Sequence, residues 1–150
     1  MTVFASELVD FEFSASDKTD AIRQLASKVV AAGRGSDIEQ ITKDVLARDE
    51  MGTPQVDGVA IPHARSSAVT KSSVAVARIK SGTSGVIFDE SEGPAKVLFM
   101  ILVPDSAGNE HIDILSGLAR RLMDPDFTSA LHTTTDASAL VKLLNESGNQ

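Results

Sequence analysis

Histidine is the side chain in this sequence best suited to accept and release a group near neutral pH, and the chain has three. His63 follows a short run of small and branched apolar residues, 59–61, and then Pro62, which fixes one backbone angle and offers no N–H to a strand ladder. The sequence therefore predicts a strand over 59–61 that ends at Pro62 and projects His63, with a ring nitrogen open to an incoming group. A histidine that merely caps a strand end would occupy the same position.

The second candidate is His111, which together with Glu110 falls in the first turn of a helix predicted from Asn109 onward. Unpaired backbone amides and the positive end of the helix dipole favour an anion there, so a phosphoryl group would be stabilised nearby. An exposed first-turn histidine without a role is the alternative. Asp113, two residues further on, points away from His111 on a helix. His132, at the end of a short predicted helix, has no chemical neighbours and is expected on the surface.

Several other kinds of chemistry lack the residues that they require. The chain contains no cysteine, which removes disulfides, thiolate nucleophiles and thiolate metal sites. It has no glycine-rich phosphate loop of the Walker or dinucleotide type and no Gly-x-Ser-x-Gly nucleophile elbow. The three histidines are not spaced like zinc ligands. The sequence therefore predicts neither a metal site nor a bound cofactor.

Length and charge set further bounds on the function. With 150 residues, 42% of them hydrophobic and 23% charged, the chain has the size and composition of one globular domain, predicted to span 1–150. Its formal net charge of −7 argues against general nucleic-acid binding, which needs a concentrated basic surface. The first residues lack the order of a signal peptide, and the longest apolar run, 97–103, is too short to cross a bilayer. A reducing cytosol is the expected location.

The elements that would position the histidines follow from periodicity and capping signals. Strands are predicted where apolar residues alternate or run together, at 9–13, 59–61, 73–79 and 96–103. Helices are predicted at 17–32 before Gly33, at about 37–49 behind a capping box of Ser36 and Glu39, at 109–122, after Asp124 and after Asp136. The turn-forming stretch 52–58 predicts a loop, and 147–150 a polar tail or the start of a linker. Strands interleaved with helices indicate an α/β fold in which helices cover a sheet.

Two sequence motifs, in this order, carry a resemblance to a known family. The first is the segment 58–65, Gly-Val-Ala-Ile-Pro-His-Ala-Arg, and the second is Asn-Glu-His at 109–111, at the head of a Leu-rich helix. Together with the stretch Ala-Arg-Arg-Leu-Met-Asp at 119–124, they resemble the fructose/mannitol type of enzyme IIA of the bacterial phosphotransferase system. The resemblance spans nearly the whole chain and implies a single α/β domain, a mixed sheet flanked by helices.

The resemblance also implies a function and roles for individual residues. In that family the histidine after the Ile-Pro step, His63 here, accepts a phosphoryl group from the phosphocarrier protein HPr and passes it to a cysteine of the IIB component, which serves the membrane transporter IIC. The second histidine, His111, assists at the phosphorylation site, and an upstream arginine, Arg48, belongs to the active region. Thr53 and Glu110 are expected to contact the phosphoryl group. The expected sugar is fructose, and no nucleotide or magnesium is required.

A neutral imidazole suits such a relay because its ring nitrogen can attack phosphorus, hold the phosphoryl group covalently and leave again. The ordinary pKa of a histidine, about 6.5, leaves most of the ring neutral in the cytosol. Two alternatives stay open. A regulatory, nitrogen-type relative would use the same phosphohistidine to control transcription or metabolism, and a plain interaction module would make no use of the histidines.

Overall fold

In the computed structural model, which describes residues 3–147, the last two through their backbone alone, one strand is followed by two α-helices, then by seven strands in succession, and finally by three α-helices. The strands are β1 (Val9–Phe13), β2 (Gln55–Val56), β3 (Val59–Ala60), β4 (His63–Ser66), β5 (Ser73–Ile79), β6 (Val86–Ile87), β7 (Pro94–Ala95) and β8 (Val97–Pro104). The helices are α1 (Lys18–Ala31), α2 (Ile38–Asp49), α3 (Glu110–Leu122), α4 (Pro125–Thr133) and α5 (Ala137–Ser147). None of these helices of the described chain is both long and apolar enough to cross a membrane. The polar tail predicted at 147–150 lies outside the described residues, except for the backbone of Ser147.

A mixed sheet of six strands organises the described part of the molecule. Its strand order is β1-β5-β8-β3-β2, and β4 pairs with β8 on the same side as β3. β8 runs antiparallel to β5 but parallel to β3 and β4, and β1 runs parallel to β5. The short strands β6 and β7 form a separate antiparallel ribbon. The mixed sheet that the family resemblance implies is therefore confirmed.

β8 is the central strand, and its side chains are buried on both faces of the sheet. Every residue from Val97 to Val103 is 0% exposed. On one face, Phe99 and Ile101 share a core with residues of α3, α4 and α5. On the other face, Leu98 and Met100 share a core with residues of α1 and α2. A continuous apolar run is what a strand covered on both faces requires, so the prediction of helices covering a sheet is confirmed.

The N-terminus of α2 differs from the prediction in the residues that cap it. The Asp37 carboxylate accepts a hydrogen bond from the Gln40 N–H at 3.1 Å, and α2 begins one residue after Asp37. The predicted capping box of Ser36 and Glu39 is wrong. The physical reason is that Glu39 binds Arg23 of α1 at 3.0 Å through two hydrogen bonds, so its carboxylate is committed to the contact between the two helices.

The other helices begin close to their predicted starts. The carboxylates of Asp17, Asp124 and Asp136 each accept a hydrogen bond from a backbone N–H in the first turns of α1, α4 and α5. α3 begins after Asn109, whose side chain makes no capping hydrogen bond. Within α3, the apolar side chain of Ile112 is 49% exposed. One end of this helix therefore presents apolar surface to solvent.

The stretch predicted as a loop, 52–58, contains the short strand β2. β2 pairs antiparallel with β3, and Val56 lies opposite Val59. The two connecting residues, Asp57 (φ +49°) and Gly58 (φ +82°), both adopt left-handed backbone conformations. An Asp-Gly pair of this kind is the usual connection of a two-residue hairpin. The prediction of a simple loop is wrong because a strand of two residues is too short to produce a periodic pattern.

Candidate functional site

His63 is the first residue of β4, which continues the line of β3 along β8. Val59 of β3 pairs with Val97. His63 pairs with Ile101, so the register along β8 is unchanged. Pro62 interrupts the ladder because it has no N–H, but its carbonyl accepts a hydrogen bond from the Ile101 N–H at 3.0 Å. The prediction that the strand over 59–61 ends at Pro62 is confirmed, but a further strand, β4, which the sequence did not predict, begins at the next residue.

The side chain of His63 is buried on the face of the sheet that α3 covers. Paired residues of neighbouring strands share a face, and the partner Ile101 belongs to the core on the α3 side. Ala64, the next residue, lies in the opposite core with α1 and α2. The sequence predicted that the His63 ring projects from the end of the strand. In the structure His63 is only 5% exposed, so its ring does not project into solvent. It is held between the edge of the sheet and the start of a helix.

One hydrogen bond defines which ring nitrogen of His63 is free. Nδ1 lies 2.9 Å from the carbonyl oxygen of Ile61. A carbonyl oxygen only accepts hydrogen bonds, so the proton of the neutral ring is on Nδ1. Nε2 then carries the lone pair. The backbone just before the histidine thus selects the tautomer in which Nε2 is the nucleophilic atom.

The surroundings of His63 keep its ring neutral. Burial is the main cause, and it lowers the pKa of His63 below the ordinary value of 6.5 because a charged imidazolium loses solvation there. The hydrogen bond to Ile61 opposes this effect. Electrostatic interactions with Arg48 and with His111 lower the pKa of His63 further. A neutral ring with a free Nε2 is the form that can attack an electrophile.

The lowered pKa leads to a pH prediction. We expect the His63 ring to titrate below 6.5, so that Nε2 stays unprotonated as the pH falls from neutral through 6.5. Since the folded-state pKa is depressed, the neutral ring contributes stability that is fully present above 6.5 and is lost as the pH falls through the folded-state pKa. NMR titration of the ring signals measures this directly. A pKa of His63 at or above 6.5 would contradict it.

His111 lies in the first turn of α3, as the sequence predicts, and faces His63. The centroids of the two rings are 6.3 Å apart, and the ring planes are inclined by 24°. His111 Nδ1 is buried and has no hydrogen-bond partner among the described residues. Buried polar atoms are normally paired, so an unpaired one close to the His63 ring leaves a place for a polar group from outside the described chain. The two histidines thus come together although they are 48 positions apart in the sequence.

Arg48 reaches the same region from the last turn of α2. Its guanidinium donates from Nη1 to the carbonyl of Gly52 at 3.0 Å, and its charge acts on His63. Gly52 has φ +98°, a conformation that favours glycine. Arginine presents five N–H donors in a fixed fork, so one bond to a carbonyl leaves other donors for an anion.

Thr53 and Glu110, the other two predicted site residues, bind neighbouring parts of the fold through their side chains. The Thr53 hydroxyl donates to Asp49 Oδ1 at 2.5 Å, and the second oxygen of that carboxylate pairs with Lys18 at 2.5 Å. The Glu110 carboxylate accepts a hydrogen bond from the Ser72 hydroxyl. An ionised carboxylate donates nothing, so the group through which Glu110 can meet a phosphoryl oxygen is its backbone N–H in the first turn of α3.

Sequence reasoning missed Arg65, whose guanidinium donates a hydrogen bond to the carbonyl of Gly108 just before α3. A signal was present, because residues i and i+2 of a strand share a face, and Arg65 lies two residues after His63. Arg65 was missed because the separate strand β4 was not predicted. Of the other predictions, His132 is exposed as expected. Residues 3–147 contain no group of three or more His, Cys, Asp or Glu that could hold a metal ion.

Comparison with known proteins identifies relatives along the whole described chain. The profile of the family described as "Phosphoenolpyruvate-dependent sugar phosphotransferase system, EIIA 2" matches residues 2–147. The fructose-specific EIIA component of the PTS system of Haloferax volcanii is 40% identical over 132 residues, which cover 87% of this chain and 84% of that protein. The nitrogen regulatory protein of Bradyrhizobium diazoefficiens is 31% identical over 131 residues, covering 86% of this chain and 83% of that protein. Several further relatives are much longer, and this chain spans only 16% to 22% of their length.

Solved structures share the fold. The nitrogen regulatory protein IIA-Ntr of Neisseria meningitidis has a TM-score of 0.82 at 22% identity, covering 95% of this chain and 96% of that chain. Enzyme IIAMtl of Escherichia coli, in its complex with phosphorylated enzyme IIBMtl, has a TM-score of 0.72 at 22% identity, covering 95% and 97%. The match to the family over residues 2–147 and the relative that is 40% identical show that this chain belongs to the type 2 EIIA family of the phosphoenolpyruvate-dependent sugar phosphotransferase system, a family of phosphotransferases.

Proposed function

We propose that this protein is a phosphoryl carrier in which Nε2 of His63 accepts a phosphoryl group from phosphorylated HPr and donates it to the cysteine of a IIB component. The observation that carries the proposal is the hydrogen bond from Nδ1 of His63 to the Ile61 carbonyl, which leaves Nε2 as the unprotonated nitrogen beside His111. Family membership supports the reaction class. The name of the Haloferax volcanii relative supports fructose as the sugar.

The two transfer steps use the same atom in opposite directions. In the first, the lone pair of Nε2 forms a bond to phosphorus, and the P–N bond to the histidine of HPr breaks with its electrons returning to that nitrogen. In the second, a thiolate of the IIB component attacks phosphorus in line with the His63 N–P bond. That bond breaks, and its electrons return to Nε2. The ring is again neutral, so no additional acid, base or nucleotide is needed to balance the cycle.

The groups around His63 act mainly by position and charge. The phosphoryl charge is spread over peripheral oxygens, so donors aimed at those oxygens stabilise both the transfer and the carried state. We assign this role to the ring of His111, to the guanidinium of Arg48 and to the first backbone amides of α3, including that of Glu110. The Thr53 hydroxyl has its single proton committed to Asp49, so we do not count that hydroxyl among these donors.

The partners must reach a histidine that is almost entirely buried. Two exposed apolar side chains lie close in sequence to the proposed site: Met51, 79% exposed, follows Arg48 by three residues, and Ile112, 49% exposed, adjoins His111. Apolar side chains of this kind form the centres of protein interfaces. We propose that HPr and the IIB component dock over them in the cytoplasm, and that the membrane transporter IIC is reached only through IIB.

Charging and discharging the protein tests the proposal in two parts. Incubation with phosphoenolpyruvate, HPr and the enzyme that phosphorylates HPr from phosphoenolpyruvate is expected to add one acid-labile phosphoryl group per chain. Addition of a IIB protein encoded in the same genome is expected to remove that group and to phosphorylate the cysteine of IIB. Absence of any acid-labile label under conditions that charge a known EIIA protein would contradict the proposal.

A second candidate function is favoured by the nitrogen regulatory relative, which is 31% identical to this chain over most of its length. In that case His63 is charged in the same way, but the phosphoryl group serves as a signal. The discharge step separates the two functions. A protein that is charged by HPr but not discharged by any IIB component encoded in the same genome has the regulatory function.

A further inference from the structure

The start of α3, which carries His111, is held in place by a side chain from another element. Asn109 occupies the N-cap position, where its residue type usually caps, but it makes no side-chain capping hydrogen bond. Instead, Nη2 of Arg65 donates a hydrogen bond to the carbonyl of Gly108. Arg65 belongs to β4, so this bond ties the residue before the N-cap to the edge of the sheet. The bond does not cap the helix, because it satisfies a carbonyl and not a helix N–H, but it anchors the residue before the N-cap from outside α3.

A second contact holds the first turn of α3 from the other side of the N-cap. The Ser72 hydroxyl donates to the carboxylate of Glu110, which is the first residue of the helix. Ser72 immediately precedes β5, the antiparallel neighbour of β8. The two contacts flank the N-cap residue and connect it to two different strands. The position of the first turn therefore depends on the sheet.

His111 needs this support more than His63 does. The ring of His63 is oriented by its own hydrogen bond to the Ile61 carbonyl. His111 Nδ1 has no hydrogen-bond partner among the described residues, so that atom does nothing to orient its ring. Where a side chain lacks such a bond, its location is set by packing and by the backbone that carries it. For His111 that backbone is the first turn of α3.

We infer that Arg65 is a positioning residue of the phosphoryl-transfer site, which acts on the reaction through His111. Arg65 lies two residues after His63 on β4 and shares its face of the strand. One short strand thus carries the nucleophile and the side chain that fixes the helix opposite to it. The bond to Gly108 holds the two rings at their separation of 6.3 Å. This inference rests on the proposed function, because it gives Arg65 a role in the same transfer reaction.

A double-mutant cycle tests whether Arg65 acts through His111. We expect Arg65→Ala to slow phosphoryl transfer from saturating phospho-HPr about ten-fold, since small displacements of a positioning group cost one to two orders of magnitude in rate. In the His111→Ala background the same change is expected to cost less than about two-fold. Arg65→Lys, which keeps one cationic donor, is expected to restore most of the rate. An equal loss in both backgrounds, or a loss confined to the KM for HPr, would overturn the inference and indicate a direct or docking role.

A second readout does not depend on phosphoryl transfer at all. In the uncharged protein, Arg65→Ala is expected to shift and broaden the NMR signals of the His111 ring and to leave those of His63 nearly unchanged. The matched control is Arg78→Ala, because Arg78 also donates to a backbone carbonyl, that of Leu131 at 3.1 Å, but belongs to β5 and holds α4. Unaltered His111 signals in Arg65→Ala would overturn the inference. If the wild-type protein cannot be charged at all, the proposed function fails, and these signals still decide whether Arg65 holds His111.

Discussion

His63→Ala is expected to abolish stable phosphorylation of the protein. The proposed reaction requires a lone pair on Nε2, and alanine offers no atom in its place, so the rate of charging by phospho-HPr should fall roughly 10³-fold or more. The measurement is incorporation of acid-labile phosphate per chain, followed over time. The substitution removes a buried ring, so the folded state of the variant is checked by its thermal transition and its methyl NMR spectrum.

A matched histidine variant makes the result specific. His132 is exposed and belongs to α4, so His132→Ala is expected to be charged at the wild-type rate and to the same extent. If His63→Ala still incorporated one phosphoryl group per chain while folded, His63 would not be the acceptor. If His132→Ala lost the label, the assignment of the nucleophile would have to move to α4.

His111→Ala is expected to slow both transfer steps about 100-fold without preventing charging. Loss of one donor from an oxyanion-type site commonly costs two to three orders of magnitude in rate, and a 100-fold loss corresponds to about 2.7 kcal/mol. Rates of charging by phospho-HPr and of discharging to IIB, both measured in single turnovers, check this. His111→Gln, which keeps an amide donor, is expected to recover part of the loss. Wild-type rates in His111→Ala for both steps would remove His111 from the site.

The sequence predicts the parts of the fold that depend on local patterns. The apolar run that forms β8, the alternating strand β5 and the capped helices α1, α4 and α5 all appear close to their predicted bounds. The two-residue strands β2, β6 and β7 escape prediction because they contain too few residues for a periodic signal. Asp37, and not the predicted Ser36, caps α2. The predicted capping box requires the Glu39 carboxylate, but that carboxylate binds Arg23 on α1, and the local sequence pattern does not show this contact.

The site depends on contacts that no local pattern records. The sequence shows that two histidines, His63 and His111, are candidates, and it predicts the helix that carries the second one. Their proximity is not, because it requires β4 to pair with β8 so that His63 lies beside Ile101, on the face that α3 covers. The same long-range pairing forms β4 directly after Pro62, buries His63 and brings Arg65 to Gly108. The sequence thus indicates which side chains could belong to the site, and the strand register determines which of them lie close together.

The position of the phosphoryl group on the histidine ring tests the central claim most directly. Nδ1 of His63 donates its proton to the Ile61 carbonyl, so only Nε2 is free to form a bond to phosphorus. NMR of the charged protein, made with isotope-labelled histidine, is expected to show a phosphorus–nitrogen coupling to Nε2 of His63 while the proton on Nδ1 is retained. A phosphoryl group on Nδ1 of His63, or on the ring of His111, would contradict the account.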